Sequence, residues 1–255
     1  MIPIKLIVID IDGCLIEGEK APYDFKALAA IRELNRKASP TNTIPQATIC
    51  SGRPYPYVEA MLKMIDGQLP AIFEHGCGLY FPQRELGREC VYHPAARLEE
   101  PQRQQWHNLA ERIVQETGAG RQCGKEALVT FFPPNDVTVP VFAEYVASQV
   151  CEAGLPLKVG HTASSVDVTP LAVDKGTGLL WLLSELRNEG WNGSLDQVAG
   201  IGDSPSDICF LELAAVAAAP ANAADPVLEM VDYVSPWPFT RGVLDIMHHV
   251  TRRAE

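Results

Sequence analysis

Long hydrophobic runs are missing from this sequence: no segment approaches the roughly 18 consecutive apolar residues that a membrane-spanning helix needs, which excludes a helical membrane protein. Missing too is any run rich in Lys and Arg. Basic residues number 21 against 32 acidic ones, a formal charge of −11, and so anionic a chain is repelled by nucleic acid and by acidic lipid surfaces. Paired cysteines are also lacking. The seven cysteines (14, 50, 77, 90, 123, 151 and 209) are odd in number, scattered, and include no C-x-x-C, so they build neither a disulfide framework nor a zinc site. The first apolar stretch is interrupted by Asp10 and Asp12, and no small-residue cleavage signal follows it. The expectation is a soluble, unprocessed, cytoplasmic protein.

What is present is enough apolar material for a sizeable interior. Of the 255 residues, 47% are hydrophobic, sufficient for one large core or two modest ones. Strand-like runs bounded by turn residues occur at 6–11, 47–50, 71–73 and 198–201, with helical periodicity at 25–37 and 57–65 between them. Alternation of this kind predicts an α/β fold with a Rossmann-like parallel sheet between two helical layers. Such sheets carry their sites beyond the carboxyl ends of the strands, where Asp10, Ser51, Glu74 and Asp203 fall.

The middle of the chain has a different rhythm. Helical patterns at 98–117 and 139–153 are interleaved with strand candidates at 128–132, 157–160 and 165–168, before a helix at 176–189 resumes the first pattern. The spacing predicts a core formed by residues 1–80 and 170–255, interrupted by an α+β insert at 81–169. No internal repeat is visible.

Four short pieces of sequence carry chemistry. Asp10-Ile11-Asp12-Gly13 ends the first strand with two carboxylates, a pairing that suits a hard divalent cation such as Mg²⁺; a solvated Asp turn is the alternative. In Ser51-Gly52-Arg53, after the second strand, a hydroxyl and the surrounding backbone N–H groups are suited to a phosphoryl oxygen, although the same tripeptide makes an ordinary turn. Asp174-Lys175-Gly176 opens a helix and offers a lysine to neutralise charge on a phosphoryl group. Finally, Gly202-Asp203-Ser204-Pro205-Ser206-Asp207 delivers two more carboxylates, of which Asp203 completes a metal site begun by Asp10 and Asp207 ligates or orients it; an N-cap is again the alternative. Each piece is weak alone, but all four stand in order at strand ends or helix starts.

In that order, the pieces resemble the motifs of the haloacid-dehalogenase-like (HAD) phosphatases: D-x-D-G, a Ser or Thr after the second strand, a Lys, and G-D-x-x-x-D. The insert is similar to the large α/β cap of the family's Cof-like branch, which includes phosphoglycolate, sucrose-phosphate and mannosyl-3-phosphoglycerate phosphatases. The chain departs from many relatives in reading Glu74-His75-Gly76 for E-N-G and Ser206-Asp207 for N-D.

The resemblance implies a Mg²⁺-dependent phosphatase acting on a small phosphorylated metabolite. In that reading Asp10 attacks phosphorus and forms an aspartyl-phosphate, and Asp12 is the general acid and base. Mg²⁺ is held by Asp10, Asp203 and the backbone carbonyl of Asp12, with Asp207 in support. Ser51, Gly52 and Lys175 bind the phosphoryl group, Asn222 orients Lys175 or the phosphate or is a turn residue, and the insert covers the site and sets specificity. Substrate contacts are expected from His75 and Arg53, the latter otherwise pairing with a nearby Asp. A phosphomutase with the same nucleophile and a non-catalytic binding protein on the same scaffold are the rival readings.

Overall fold

A computed structural model describes residues 2–18, 20–38 and 44–252. In chain order the elements are β1 (Leu6–Ile9), α1 (Phe25–Lys37), β2 (Gln46–Ile49), α2 (Tyr55–Met64), β3 (Ala71–Phe73), β4 (Gly78–Tyr80), β5 (Cys90–Tyr92), α3 (Gln102–Thr117), β6 (Gly120–Arg121), β7 (Val129–Phe132), α4 (Val139–Glu152), β8 (Leu157–His161), β9 (Val166–Pro170), α5 (Lys175–Asn188), β10 (Val198–Ile201), α6 (Ile208–Leu211), β11 (Val216–Ala219), α7 (Asp225–Leu228), β12 (Tyr233–Val234) and α8 (Phe239–Arg252). They divide into two compact units, residues 1–91 with 175–255, and residues 92–174.

The first unit holds a five-stranded parallel sheet in the order β12-β11-β10-β1-β2. β1 is Leu-Ile-Val-Ile with every side chain buried, as a strand covered on both faces must be. Leu6 and Val8 join a cluster with Leu179, Leu182, Leu183 and Leu186 of α5, so the alternate residues Ile7 and Ile9 point to the opposite face. A parallel bridge from Cys50 to Ile72 carries β2 on to β3, which begins a second sheet, β3-β4-β5. The strand order reverses about β1, with β2 on one side and β10 on the other, and such a switch point opens a crevice at the carboxyl ends.

The second unit is a four-stranded sheet in the order β6-β7-β9-β8, antiparallel throughout. Val129, Phe131, Val166 and Val168 pack with Trp106, Leu109 and Ile113 of α3 and Phe142, Val146 and Val150 of α4. The intervening Thr130 and Asp167 lie on the sheet's other face and hydrogen-bond to each other across the strands. Thr130 Oγ1 also accepts from Lys125 Nζ at 2.5 Å.

The unit boundaries fall at 91/92 and 174/175, later than the 80/81 and 169/170 read from sequence. Strands β4 and β5 are the cause on the outward side, because they extend the β3 sheet of the first unit. On the return, β9 stays in the second sheet through Pro170, opposite Leu157, and α5 starts at Lys175 itself. No helix among the described residues is long and apolar enough to cross a membrane.

One buried polar side chain ties α1 to the sheet. Asn35, 6% exposed, accepts from the Ala47 N–H at 2.9 Å and donates to the carbonyls of Ala47 (3.2 Å) and Ile65 (3.1 Å). Asn35→Ala should therefore destabilise the protein by about 2–4 kcal/mol, the cost of stranding buried backbone groups plus a small cavity. Urea unfolding checks this, and a loss below about 0.5 kcal/mol, the range of an ordinary surface substitution, would contradict it.

Candidate active site

Three strand ends and one helix start converge at the carboxyl edge of the parallel sheet. Asp10 follows β1, its N–H donating to the Ile201 carbonyl of the neighbouring β10 (2.9 Å). Asp203 follows β10, and Ser51 follows β2. Lys175, the first residue of α5, reaches between the acids: its Nζ donates to Asp10 Oδ1 at 2.9 Å and to Asp207 Oδ1 at 2.5 Å. All three of these side chains are nearly or fully buried.

The loop from Gly202 to Asp207 is folded around the second of these acids. Asp207 Oδ2 accepts from the N–H groups of Asp203 (3.1 Å) and Ser204 (2.9 Å) and from the Ser204 hydroxyl (2.9 Å). This is the N-cap arrangement foreseen as the alternative, and it coexists with the acidic cluster instead of replacing it. Asp203 lies against Gly13, whose φ is +82°; a Cβ there would come within 1.9 Å of Asp203 Oδ2. Glycine at 13 is thus required by its left-handed conformation and by the close approach of the carboxylate.

Asp10, Asp203 and Asp207 each offer an oxygen, all within 4.8 Å of one another. Burial, and then repulsion from Asp207, pushes the Asp203 carboxyl up to about 7, with Lys175 pulling the other way. Asp10 is raised as well, first by burial and against the attraction of Lys175. On Lys175 burial acts downward, but the Asp10 and Asp207 carboxylates outweigh it and hold the ammonium charged. One cation among three carboxylates leaves the cluster short of positive charge, and a hard cation suits oxygen donors at this spacing. The residues present therefore fit a divalent cation. The thiols of Cys14 and Cys50 are buried and their pKa values raised by that burial, so neither is an activated nucleophile.

Asp12 stands apart from the acidic cluster. Its two oxygens receive a fork from Arg53, Nε to Oδ2 at 2.7 Å and Nη2 to Oδ1 at 2.6 Å. Of the two roles read for Arg53, pairing with an Asp is the one seen. Ser51 Oγ accepts the Arg53 N–H at 3.2 Å, which leaves its own proton for an anion. Gly52 lies under the His75 ring, where a Cβ would meet Nε2 at 2.3 Å. Glu74 and His75 both have positive φ, 48° and 55°, and their N–H groups donate to the Arg53 and Ser51 carbonyls, each at 3.0 Å. Two successive strained non-glycine residues, locked to the serine loop, place His75 at the rim of this edge.

Asn222 is a staple and not a partner of Lys175: its Nδ2 donates to the Gly13 carbonyl (3.0 Å) and its Oδ1 accepts from the Phe239 N–H (2.7 Å). Both ends of the amide are spent on the backbone, so its effect on the cluster runs through the Gly13 turn. Sequence reasoning missed Tyr57, whose ring lies 4.8 Å from the Arg53 guanidinium carbon, and Tyr23, whose hydroxyl is 3.1 Å from that of Tyr57. The only trace of this contact in the sequence is the four-residue spacing of Arg53 and Tyr57.

The raised Asp203 pKa sets a pH dependence. A carboxyl that binds its proton more tightly when folded stabilises the fold at low pH, and that contribution is lost as pH rises from about 4 to about 7. In chelator, the melting temperature of Asp203→Asn should gain on that of the native protein across this window, as followed by calorimetry. Added Mg²⁺ should raise the native melting temperature more at pH 8 than at pH 5. A constant gap between the two proteins would contradict the assignment.

Comparisons with known proteins agree with this fold. The sequence profile of the haloacid dehalogenase-like hydrolases matches residues 144–247. Phosphoglycolate phosphatase of Methanopyrus kandleri is 25% identical over 230 residues, 90% of each chain, and that of Haloarcula marismortui 26% identical over 243 residues, 94% of each. Among solved structures, Thermoplasma acidophilum 0175 superimposes with a TM-score of 0.75 at 20% identity, covering 97% of this chain and 98% of that one. A haloacid dehalogenase-like hydrolase from Bacteroides thetaiotaomicron gives 0.70 at 15% identity, covering 97% and 99%. With its parallel sheet and the acids and lysine gathered at the carboxyl edge, the chain is similar in sequence to the haloacid dehalogenase-like hydrolases over residues 144–247 and shares their fold.

Proposed function

We propose that this protein is a Mg²⁺-dependent phosphatase of small phosphomonoesters, with phosphoglycolate the first substrate to test. The observation that carries the reading is the buried bridge from Lys175 to Asp10 and Asp207, with Asp203 beside it. The similarity to phosphoglycolate phosphatases along nine-tenths of the chain supports the substrate.

Lys175 holds Asp10 Oδ1 and thereby orients Oδ2 as the attacking atom. As Asp10 bonds to phosphorus, the ester bond breaks and its electron pair goes to the leaving oxygen, which takes a proton from Asp12. Asp12 then removes a proton from the water that hydrolyses the aspartyl-phosphate. The Ser51 hydroxyl and the Gly52 N–H hold the phosphoryl oxygens, with Lys175 opposing their charge. Asp10, Asp203 and the Asp12 carbonyl would hold the cation, with Asp207 orienting Asp203 through its N–H. Bound there, Mg²⁺ supplies the positive charge that keeps the acids ionised and draws charge from the phosphoryl group.

Asp10→Asn should keep the fold and lose on the order of 10³-fold or more in kcat, as expected when a nucleophile is removed. Release of inorganic phosphate from phosphoglycolate measures it, and substantial turnover by the folded variant would sink the mechanism. Chelation should abolish activity, with Mg²⁺ restoring it and Ca²⁺ failing to, because Ca²⁺ prefers more oxygen ligands at longer distance. Full activity in excess chelator would exclude the metal.

A further inference from the structure

We propose that Arg53 selects substrates by the charge of their leaving group, surrendering the Asp12 carboxylate in exchange for a carboxylate carried by the substrate. The inference rests on the phosphatase reading above and names the substrate class: phosphomonoesters whose leaving group is itself an anion close to the ester oxygen.

Each Asp12 oxygen accepts one hydrogen bond from the guanidinium, at 2.6 and 2.7 Å. A fork of this kind is among the stronger polar contacts in proteins. While it persists, the fork favours Asp12 as a carboxylate in one orientation, and carrying a proton to a leaving group means weakening it.

The two partners are not equally fixed. Arg53 lies over the Tyr57 ring, and Tyr57 is tied to Tyr23. Its own backbone is pinned on both sides, the N–H by Ser51 Oγ and the carbonyl by the Glu74 N–H. Its side chain is 12% exposed, against 36% for Asp12. The arginine is the mounted member of the pair and the carboxylate the replaceable one.

Lys175 is committed to Asp10 and Asp207 and serves the phosphoryl end. Arg53 is a second cation at this edge, beside the residue that must meet the leaving oxygen. In phosphoglycolate the carboxylate stands one methylene from that oxygen. When the ester oxygen approaches Asp12, the substrate carboxylate is therefore within reach of the same fork, and one carboxylate replaces another in the same bidentate geometry. Asp12, released, delivers a proton drawn from solvent to the leaving oxygen as the P–O bond breaks and its electron pair passes to that oxygen. A neutral leaving group has nothing to exchange, and Asp12 stays latched.

The test compares phosphoglycolate with ethyl phosphate, which lacks the carboxylate, and with p-nitrophenyl phosphate, which needs little protonation. In Arg53→Gln the ratio of kcat/KM for phosphoglycolate over ethyl phosphate should fall about 10- to 100-fold, the usual worth of a hydrogen bond to a charged group, with ethyl phosphate unchanged or faster. Arg53→Lys should recover only part, since it keeps the charge and loses the fork. An equal loss on all three substrates would overturn the proposal, and so would an unchanged ratio. Binding separates this claim from the phosphatase reading: in an Asp10→Asn background, calorimetry should find phosphoglycolate weakened about 10-fold or more by Arg53→Gln and ethyl phosphate changed less than about twofold. Selective binding without any turnover by the native protein would sink the phosphatase reading and leave Arg53's selectivity standing. Equal affinity for the two ligands would do the reverse.

Discussion

The buried ammonium of Lys175 is the contact on which the rest of this site depends. Asp10 and Asp207 are almost wholly removed from solvent, and a buried carboxylate left without a partner costs several kcal/mol. The lysine that compensates them comes from the start of a helix 165 positions after Asp10 in the chain, so the charge balance holds only when both halves of the first unit are assembled. Around that core of charge, the Gly13 turn, the Asn222 staple and the Ser204 to Asp207 loop read as fittings that keep each acid at its distance. The Asp203 carboxylate against Gly13 shows how little slack the arrangement has.

Much of this was legible from sequence, and the exceptions are physical. β1, β3 and β10 are short apolar runs ending in polar residues, and the structure finds strands at all three, with β3 and β10 at the expected bounds. The helix predicted over 25–37 is α1 residue for residue, its start marked by Asp24, which accepts the Ala27 N–H. β11 escaped notice because Val-Ala-Ala-Ala has poor strand propensity. It is a strand because parallel pairing with Ala199, Gly200 and Ile201 fixes its backbone, and small side chains fit where Phe210 and Leu211 crowd the sheet. The helix predicted from residue 98 starts at Gln102, after Pro101, a residue that favours the edge of a helix over its interior.

At the site, the motifs located the acids and the lysine because each terminates a strand or opens a helix, positions that a one-dimensional pattern can mark. The partner of Arg53 was left open between an Asp and a substrate, since Asp12 is 41 positions away and only the adjacency of β1 and β2 brings the two together. Asn222 carries the opposite lesson. A motif position next to the acidic cluster proved to be spent on backbone hydrogen bonds to Gly13 and Phe239, and no sequence pattern distinguishes a side chain aimed at a ligand from one aimed at a turn.

The place of β1 between β2 and β10 also governs how the protein must be made. Ile9 and Val198, the nearest ends of β1 and β10, are 189 positions apart, so a ribosome releases β1 long before one of its two neighbours exists. Throughout that interval Leu-Ile-Val-Ile presents an unpaired parallel edge, the kind of surface that seeks strands on other chains. Such long-range pairing is also slow to form. The second unit, whose elements are all contiguous in sequence, is complete before β10 emerges and is free to fold first. Protection of the nascent β1 edge, by a chaperone or by the speed of synthesis, thus falls on the same stretch of translation in which Lys175 has yet to meet Asp10.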